Sequence, residues 1–251
     1  MRTWARRMAV VFVIGGGLLP CIAYAQGKDS GRTVTPVSLG LSSSRQYPAG
    51  MADVRGLSLG FLNNADYSVT GIQVSLGSNE TKDTAYGLQI AGLANGASNT
   101  AGLQVSGLAN FSKNTAGLQV AGLLNLNANI DFSGKRSGTY AIDGIQISGL
   151  INVTDNMEGM QMAGLLNRVR IIRGVQTAAW NNGTDVSGGQ CGVANFAEEI
   201  QGLQIGLVNW SKNARGIQLG VVNRAEELKG LQVGLLNFKA DRFIPIVMIG
   251  W

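Results

Sequence analysis

The sequence predicts an all-β protein built as a β-solenoid of 14–16-residue coils. Three observations support this prediction: a short motif recurs in tandem, apolar and polar residues alternate with period two inside it, and its glycines fall at fixed positions. The 251-residue chain contains 36 glycines but only four prolines, and it lacks the three-residue period of collagen. A short period sustained over many copies is typical of a repeat architecture rather than of a single globular core.

The motif has the form Gly-Leu-Gln-apolar-Gly-Leu-apolar-Asn, and twelve copies occupy residues 56–243. The copies begin 15 or 16 residues apart in the first half and 14 apart from Gly174 onward, with one predicted insertion at residues 126–143. Their first residues are Gly56, Gly71, Gly87, Gly102, Gly117, Gly144, Gly159, Gly174, Gly188, Gly202, Gly216 and Gly230.

Each copy is predicted to be extended. In the copy at residues 202–209, Leu203, Ile205 and Leu207 alternate with Gln204, a period of two that indicates a strand. Two glycines within five residues would cost a helix about 1 kcal/mol each relative to alanine. Because apolar side chains usually form the core, we expect Leu203, Ile205 and Leu207 to point inward and Gln204 to point outward.

Stacking of coils explains why the third residue of nearly every copy is glutamine and the last is asparagine. Identical positions on adjacent coils lie about 4.8 Å apart, so their amides can form hydrogen-bonded ladders. A corner at the internal glycine, such as Gly206, would absorb the extra residue present in copies such as 87–95. The glutamines are Gln73, Gln89, Gln104, Gln119, Gln146, Gln161, Gln176, Gln190, Gln204, Gln218 and Gln232.

The alternative architecture is an antiparallel outer-membrane β-barrel of about 14 strands, one per copy. Adding residues 36–43 and 244–251 to the twelve copies gives the even strand number of such barrels, and the chain ends on Trp251 after alternating apolar residues. Three features favour the solenoid. Aromatic residues make up only 6% of the chain and form no girdles, the linkers do not alternate in length, and Pro245 interrupts the last strand.

The N-terminal residues 1–25 are predicted to be a signal peptide. Three arginines precede an apolar stretch at residues 8–19, and Ala23 and Ala25 occupy the positions that a signal peptidase reads, so the mature chain would begin at Gln26. Acylation at Cys21 is the less favoured alternative, because Pro20 directly precedes that cysteine.

Two further segments flank the repeat in the predicted organisation. Residues 26–55 form an N-terminal lead-in or cap, and residues 244–251 form a C-terminal apolar strand. The repeat domain, residues 56–243, lies between them.

Composition excludes several function classes. The chain contains 20 basic and 15 acidic residues, and removal of residues 1–25 takes away three arginines and no acid, which leaves 17 against 15. Nucleic-acid binding is therefore not expected. The chain has no histidine, which excludes His-based catalytic triads, and Cys191 would be the one cysteine of the mature chain. No catalytic residue, metal ligand or cofactor is predicted, and the binding residues are left open.

Several residue groups could nevertheless carry function. Cys191 occupies the position of Ile205 in its copy, which favours an apolar core thiol over a nucleophile. The glutamine column could bind a glycan or a mineral or ice lattice, although a solvated or self-bonded sheet face is favoured. Arg168, Arg170 and Arg173 could meet lipopolysaccharide phosphate, but we expect solvated turn charges. Paired acids at Glu198-Glu199 and Glu226-Glu227 are interpreted as solubilising turns.

The tandem Gly-Leu-Gln-apolar-Gly-Leu-apolar-Asn copies, behind a signal peptide and ahead of a short apolar C-terminal segment, resemble the uncharacterised bacterial exported proteins described as surface repeat-containing. The resemblance covers about residues 56–251. It implies an exported or surface-located bacterial protein and supplies no catalytic residue.

The leading hypothesis is a non-enzymatic exported structural or interaction protein of the bacterial cell envelope or surface, which presents a repetitive β face to an envelope or surface partner. Its location would be the cell surface or outer membrane of a Gram-negative bacterium, or alternatively the periplasm. An outer-membrane barrel acting as a channel or assembly component, associated with the membrane through the barrel itself, is the second hypothesis. The third and least favoured hypothesis is a β-helix carbohydrate-active enzyme. It is least favoured because this chain lacks a cluster of acidic residues outside its turns.

Overall fold

The computed structural model describes residues 31–127 and 141–251, together with the backbone of three short strands at 12–14, 17–19 and 27–29. The predicted cleavage before Gln26 and the residue Cys21 lie outside this part of the chain. So does 128–140, the centre of the predicted insertion. None of the described residues forms a helix long and apolar enough to cross a membrane.

All regular structure in the described ranges is β-strand. Twenty strands follow the chain, and most of those in the repeat are 12 to 14 residues long. They are β1 Phe12–Ile14, β2 Gly17–Leu19, β3 Gly27–Asp29, β4 Arg32–Ser42, β5 Arg45–Tyr47, β6 Asp53–Gly60, β7 Asn63–Asp66, β8 Ser68–Ser75, β9 Ser78–Ala91, β10 Ala94–Ser106, β11 Ala109–Ala121, β12 Leu124–Asn127, β13 Ala141–Ser148, β14 Ile151–Ala163, β15 Leu166–Thr177, β16 Trp180–Cys191, β17 Ala194–Ile205, β18 Val208–Leu219, β19 Val222–Lys239 and β20 Arg242–Gly250.

The repeat strands stack in parallel and in identical register. Gln190 of β16 pairs with Gln204 of β17, which corresponds in turn to Gln218 of β18, and the glycines and asparagines align in the same way. The fold is therefore a β-solenoid of about twelve turns, as the sequence predicts. The barrel alternative is wrong, because neighbouring copies run parallel rather than antiparallel.

Each coil has three corners that separate three straight segments. In the coil that begins at Gly202, the first corner is Gly202 itself and the second is the bend at residues 206–207. The third corner is Lys212, which does not pair with the preceding coil although its neighbours Ser211 and Asn213 do. The first segment thus carries Leu203 to Ile205, the second the motif asparagine, and the third the charged linker.

Glycine is required at both corners of the motif for different reasons. The first glycine of every copy has a positive φ, 140° at Gly202, and a Cβ there would lie 1.9 Å from the carbonyl oxygen of Gly188. At Gly206 φ lies outside the left-handed region, but a Cβ would lie 2.5 Å from the carbonyl oxygen of Gly192. The predicted corner at Gly206 is confirmed, and it arises from close approach of adjacent coils.

The interior reverses the predicted facing of the strands. Gln204 is fully buried, whereas Ile205 and Leu207 are 40% and 56% exposed and Leu203 is half-buried. The expectation that these three apolar residues point inward was wrong. The two sides of the alternating strand exist as predicted, but amides fill the inside of the first segment and aliphatic side chains cover the outside.

Strands outside the repeat close both ends of the solenoid. At the N-terminal end β4 adds one more parallel rung beside β6, within the predicted lead-in. At the C-terminal end β20 runs antiparallel to β19 and places Met248, 2% exposed, opposite Gln232. In the predicted insertion, Asn127 and Ile142 are buried residues of regular strands, so the repeat continues on both sides of 128–140.

Candidate functional site

A continuous ladder of glutamine amides runs through the interior. From Gln89 to Gln232, the Nε2 of each glutamine donates to the Oε1 of the glutamine one coil earlier, over 2.6–3.0 Å. The predicted coil-to-coil amide bonding is confirmed. The prediction that the glutamine column faces outward is wrong, however, because these side chains are buried. They therefore cannot form a binding surface for a glycan or for a mineral or ice lattice.

A second amide ladder runs beside the first with the opposite polarity. From Asn79 to Asn223, the Nδ2 of each asparagine donates to the Oδ1 of the asparagine one coil later, over 2.8–3.1 Å. The same Nδ2 also donates to a backbone carbonyl of the next coil, as from Asn195 to Ile205 over 2.8 Å. The asparagine therefore holds the second corner in place as well as linking the coils.

The third segment carries its own inward column, which is mainly aliphatic and has Thr100 and Thr115 in its middle. Ile172, Ile200 and Leu228 are at most 2% exposed. A different inward column stands two residues after the motif asparagine, and its N-terminal member is the buried Asp66. Asp66 accepts a hydrogen bond from Gln73 over 3.2 Å, so this carboxylate ends the glutamine ladder. Burial raises the pKa of Asp66 above its ordinary value, and hydrogen bonds from Ser58, Ser38 and Gln73 oppose that rise.

The outward side chains of the first segment form a surface that we call the apolar face. It consists of two columns, the second and fourth residues of every copy, with Leu203 and Ile205 as one example. No charged residue occupies either column. The second-residue column is Leu57, Ile72, Leu88, Leu103, Leu118, Ile145, Met160, Val175, Gly189, Leu203, Ile217 and Leu231, and the fourth-residue column is Leu59, Val74, Ile90, Val105, Val120, Ile147, Met162, Thr177, Cys191, Ile205, Leu219 and Val233.

Cys191 belongs to this face. Its thiol is free and the residue is exposed, so the predicted apolar core thiol is wrong. The position in the repeat was identified correctly, but that position faces outward. Cys191 is consequently available to thiol reagents on the surface of the solenoid.

A line of protruding side chains follows the second corner, and we call it the leucine edge. Its members stand at the bend of successive coils and are 41–67% exposed. They are Leu76, Leu93, Leu108, Leu123, Leu150, Leu165, Val193, Leu207, Val221 and Leu235. The edge runs alongside the apolar face, so that one side of the molecule is aliphatic from end to end.

Charged residues lie mainly on the third segment. Arg173 forms an exposed ion pair with Glu158 over 2.7 Å, and Arg170 donates to Asn156 over 2.7 Å, so the predicted arginine cluster is divided among separate partners. Glu198 stands at the third corner, as expected for a turn residue, and Glu199 aligns through Asn213 with Glu227 two coils later.

Sequence reasoning missed an aromatic group on the second segment. Trp180 stacks on Phe196 with centroids 4.7 Å apart, and Phe196 approaches Trp210 at 6.5 Å. Phe196 and Trp210 directly follow the motif asparagines of adjacent copies, and this shared position was the available signal. Trp180 and Phe196 are stacked, whereas the rings of Phe196 and Trp210 are tilted by 39° relative to each other.

The described residues contain no group of three or more His, Cys, Asp or Glu side chains placed to hold a metal ion. A small surface depression of about 60 Å³ on the third segment is lined by Glu199, Arg215, Glu227 and Lys229 among others. Comparison with known proteins adds no assignment: no family model matches the chain, and no curated protein or solved structure is significantly similar to it.

Proposed function

We propose that this chain is a non-enzymatic, exported structural or interaction protein of the bacterial cell envelope or surface. The observation that carries the proposal is the inverted distribution of side chains. The solenoid keeps its glutamine and asparagine ladders inside and covers one whole side with aliphatic residues, whereas exposed apolar patches on monomeric soluble proteins rarely exceed a few hundred Å². Such a side is suited to contact with a partner.

The ladders support a scaffolding role. Every coil is joined to the next by side-chain amide bonds in addition to backbone pairing, so the outward columns are held at a regular spacing of about 4.8 Å. A rigid surface with few rearrangements on binding loses little conformational entropy when it associates. The aliphatic character of the apolar face and the leucine edge favours contact rather than chemistry.

The location rests on the N-terminal sequence. The arginines, the apolar stretch at 8–19 and the Ala23 and Ala25 positions together favour export, and the small net charge of the remaining chain does not favour nucleic acid as a partner. The partner we propose is a component of the outer membrane or cell surface, with the periplasm as the alternative compartment. The leucine edge is the contact that we propose for it, because its side chains are 41–67% exposed and form a continuous line along the solenoid.

Cell fractionation tests this proposal. The full chain and a variant lacking residues 2–25 are expressed in a Gram-negative host and followed with an antibody against the purified protein. We expect the full chain to be shortened and recovered in the envelope fraction, accessible to protease on intact cells, and the deletion variant to remain in the cytoplasm. A full chain that stays uncleaved in the cytoplasm would overturn the proposal.

A pair of double variants tests the leucine edge in the same assay. Leu165→Glu with Leu207→Glu should release the exported protein from the envelope fraction. The control, Ser187→Glu with Gln201→Glu, adds the same charge at exposed positions just before first-position glycines and should leave the protein bound. Equal retention of both double variants would show that the leucine edge is not the contact.

A further inference from the structure

The apolar face continues beyond the repeat at both ends. Val37 and Leu39 of β4 pair with Leu57 and Leu59, which adds a rung before the first copy. Ile249 and Val247 of β20 pair with Leu231 and Val233, adding a rung after the last. Strand β20 is antiparallel and shares no motif with the repeat, yet it keeps both columns apolar. The apolar face is therefore not a by-product of copying one motif.

The dimensions of the apolar face match a protein–protein interface. Twelve copies with one added rung at each end give fourteen rungs, a length of roughly 62 Å at about 4.8 Å per rung. Two columns with their side chains are roughly 12 Å wide, which gives an area on the order of 750 Å². Full overlap of two such faces would bury roughly 1,500 Å² in total, within the range of about 1,200–2,000 Å² for specific protein–protein interfaces.

A dent interrupts this face at two neighbouring coils. Where other copies carry leucine, isoleucine, valine or methionine, the coil of Gly188 has Gly189 and Cys191, and the preceding coil has Thr177. The backbone does not require a glycine at 189: its φ lies outside the left-handed region, and a Cβ would meet nothing closer than 3.7 Å. The absence of a side chain at Gly189 therefore changes the shape of the apolar face and is not needed for the backbone of the coil.

Two long side chains lie at the matching distance from the dent. Met160 and Met162 occupy the same two columns in the coil of Gly159, two coils before Gly189 and Cys191, and are 37% and 40% exposed. Methionine is unbranched and fills irregular gaps readily. A twofold axis through the intervening coil, that of Val175 and Thr177, would place each methionine of one copy opposite the dent of the other.

We propose that two copies of this chain associate through their apolar faces as an antiparallel, twofold-symmetric dimer. The axis passes through the coil of Val175, lies in the interface and is perpendicular to the solenoid axes. Met160 then packs over Gly189 of the second copy and Met162 over Cys191, with the two sheets about 10 Å apart. This arrangement overlaps eleven of the fourteen rungs, or roughly 1,100–1,200 Å² in total, which exceeds the minimum of about 1,000 Å² for a specific interface.

The borders of the apolar face favour a second copy over a lipid surface. The column that directly precedes the first glycines contains both signs of charge, and Glu158 pairs with Arg173 over 2.7 Å. Its charged members are the acidic Asp143 and Glu158 and the basic Arg55, Arg173, Arg215 and Lys229. An anionic membrane selects a uniformly basic border instead. The match between the volume of the dent and that of the methionine side chains also favours a protein partner, because fluid acyl chains conform to any surface and need no such match.

The first test compares two lysine substitutions by analytical ultracentrifugation of the purified protein. Ile147 and Leu57 are equally exposed, at 38% and 37%, but Ile147 faces Ile205 of the second copy whereas Leu57 lies beyond its end. The unchanged protein should sediment as a dimer. Ile147→Lys should raise the dimer dissociation constant at least about a hundredfold, because it buries unpaired charges, and Leu57→Lys should leave it nearly unchanged.

The second test exchanges the volumes at the dent. Gly189→Met should fold, because its Cβ has room, but should weaken the dimer at least about tenfold through two symmetric clashes with Met160. Adding Met160→Ala should restore the dimer, since the large and small residues then face each other again. Circular dichroism of each variant verifies that the solenoid is retained.

Three results would overturn the proposal: a monomer at tens of micromolar, equal effects of Ile147→Lys and Leu57→Lys, or no rescue by Met160→Ala. The protein is also mixed with vesicles of phosphatidylethanolamine and phosphatidylglycerol. Vesicle binding by a monomer that Ile147→Lys abolishes would assign the apolar face to lipid instead. These solution measurements are independent of the fractionation result, because export and envelope retention through the leucine edge do not require the dimer.

Discussion

Replacing Gln204 by alanine should destabilise the solenoid by about 3–5 kcal/mol. The Oε1 of Gln190 loses its donor at 2.8 Å, and an orphaned buried acceptor costs about 1–3 kcal/mol. The Nε2 of Gln218 loses an acceptor at 2.6 Å but keeps Ser211 at 3.2 Å, so its loss is nearer 1 kcal/mol. The buried space vacated by the side chain adds about 1 kcal/mol or more.

Urea unfolding followed by circular dichroism measures this difference, with three matched variants on one coil. Leu203→Ala truncates a half-buried outward side chain and should cost about 1 kcal/mol. Gln204→Met keeps most of the volume and isolates the two hydrogen bonds. If Gln204→Ala costs less than about 1 kcal/mol, or no more than Leu203→Ala, the interior amide ladder contributes little to the stability of the solenoid.

Gly202→Ala should destabilise the protein more than Gly206→Ala, because its Cβ would lie 1.9 Å from a carbonyl oxygen at a positive φ rather than 2.5 Å; equal urea midpoints would contradict this. Burial raises the pKa of Asp66, so its contribution to stability is full below the ordinary pKa and is lost as pH rises above about 4. Asp66→Asn should therefore reduce the loss of stability between pH 3 and pH 7. Thermal melts in which the variant and the unchanged protein lose stability equally over this pH range would contradict this expectation. Ser106→Ala should be neutral or stabilising by up to about 1 kcal/mol, because the buried Oγ of Ser106 has no partner and both register neighbours are alanine. A calorimetric decrease of more than about 1 kcal/mol in the free energy of unfolding would refute this expectation.

The repeat period was sufficient to predict the strands, the parallel stacking and the amide ladders. Identical residues at a fixed period can satisfy one another only when copies lie in register, and Gln190, Gln204 and Gln218 do so. The caps were harder to predict. Strand β20 pairs antiparallel and covers Gln232 with Met248, a contact that depends on where the chain reverses and that no periodicity encodes.

The facing of the strands was not predictable from alternation alone, because a period of two defines two sides without saying which one is inside. The general preference for apolar cores then favoured the wrong side. A signal was nevertheless present within the chain. The third residue is glutamine in eleven copies, whereas the second varies among aliphatic residues and becomes Gly189 in one copy. An interior ladder needs identical partners, while an outer surface tolerates variety.

The polar interior has a consequence for how stability depends on temperature. The heat capacity of unfolding rises with newly exposed apolar area and falls with newly exposed polar area. Here unfolding would hydrate buried amides such as Gln204 and Asn209, while many aliphatic side chains are already in contact with solvent before it begins. The heat-capacity increment of a single chain should therefore lie below the usual 12–15 cal/mol/K per residue or so. A smaller increment flattens the curve of unfolding free energy against temperature, so the solenoid should retain nearly constant stability from the cold to well above ordinary growth temperatures.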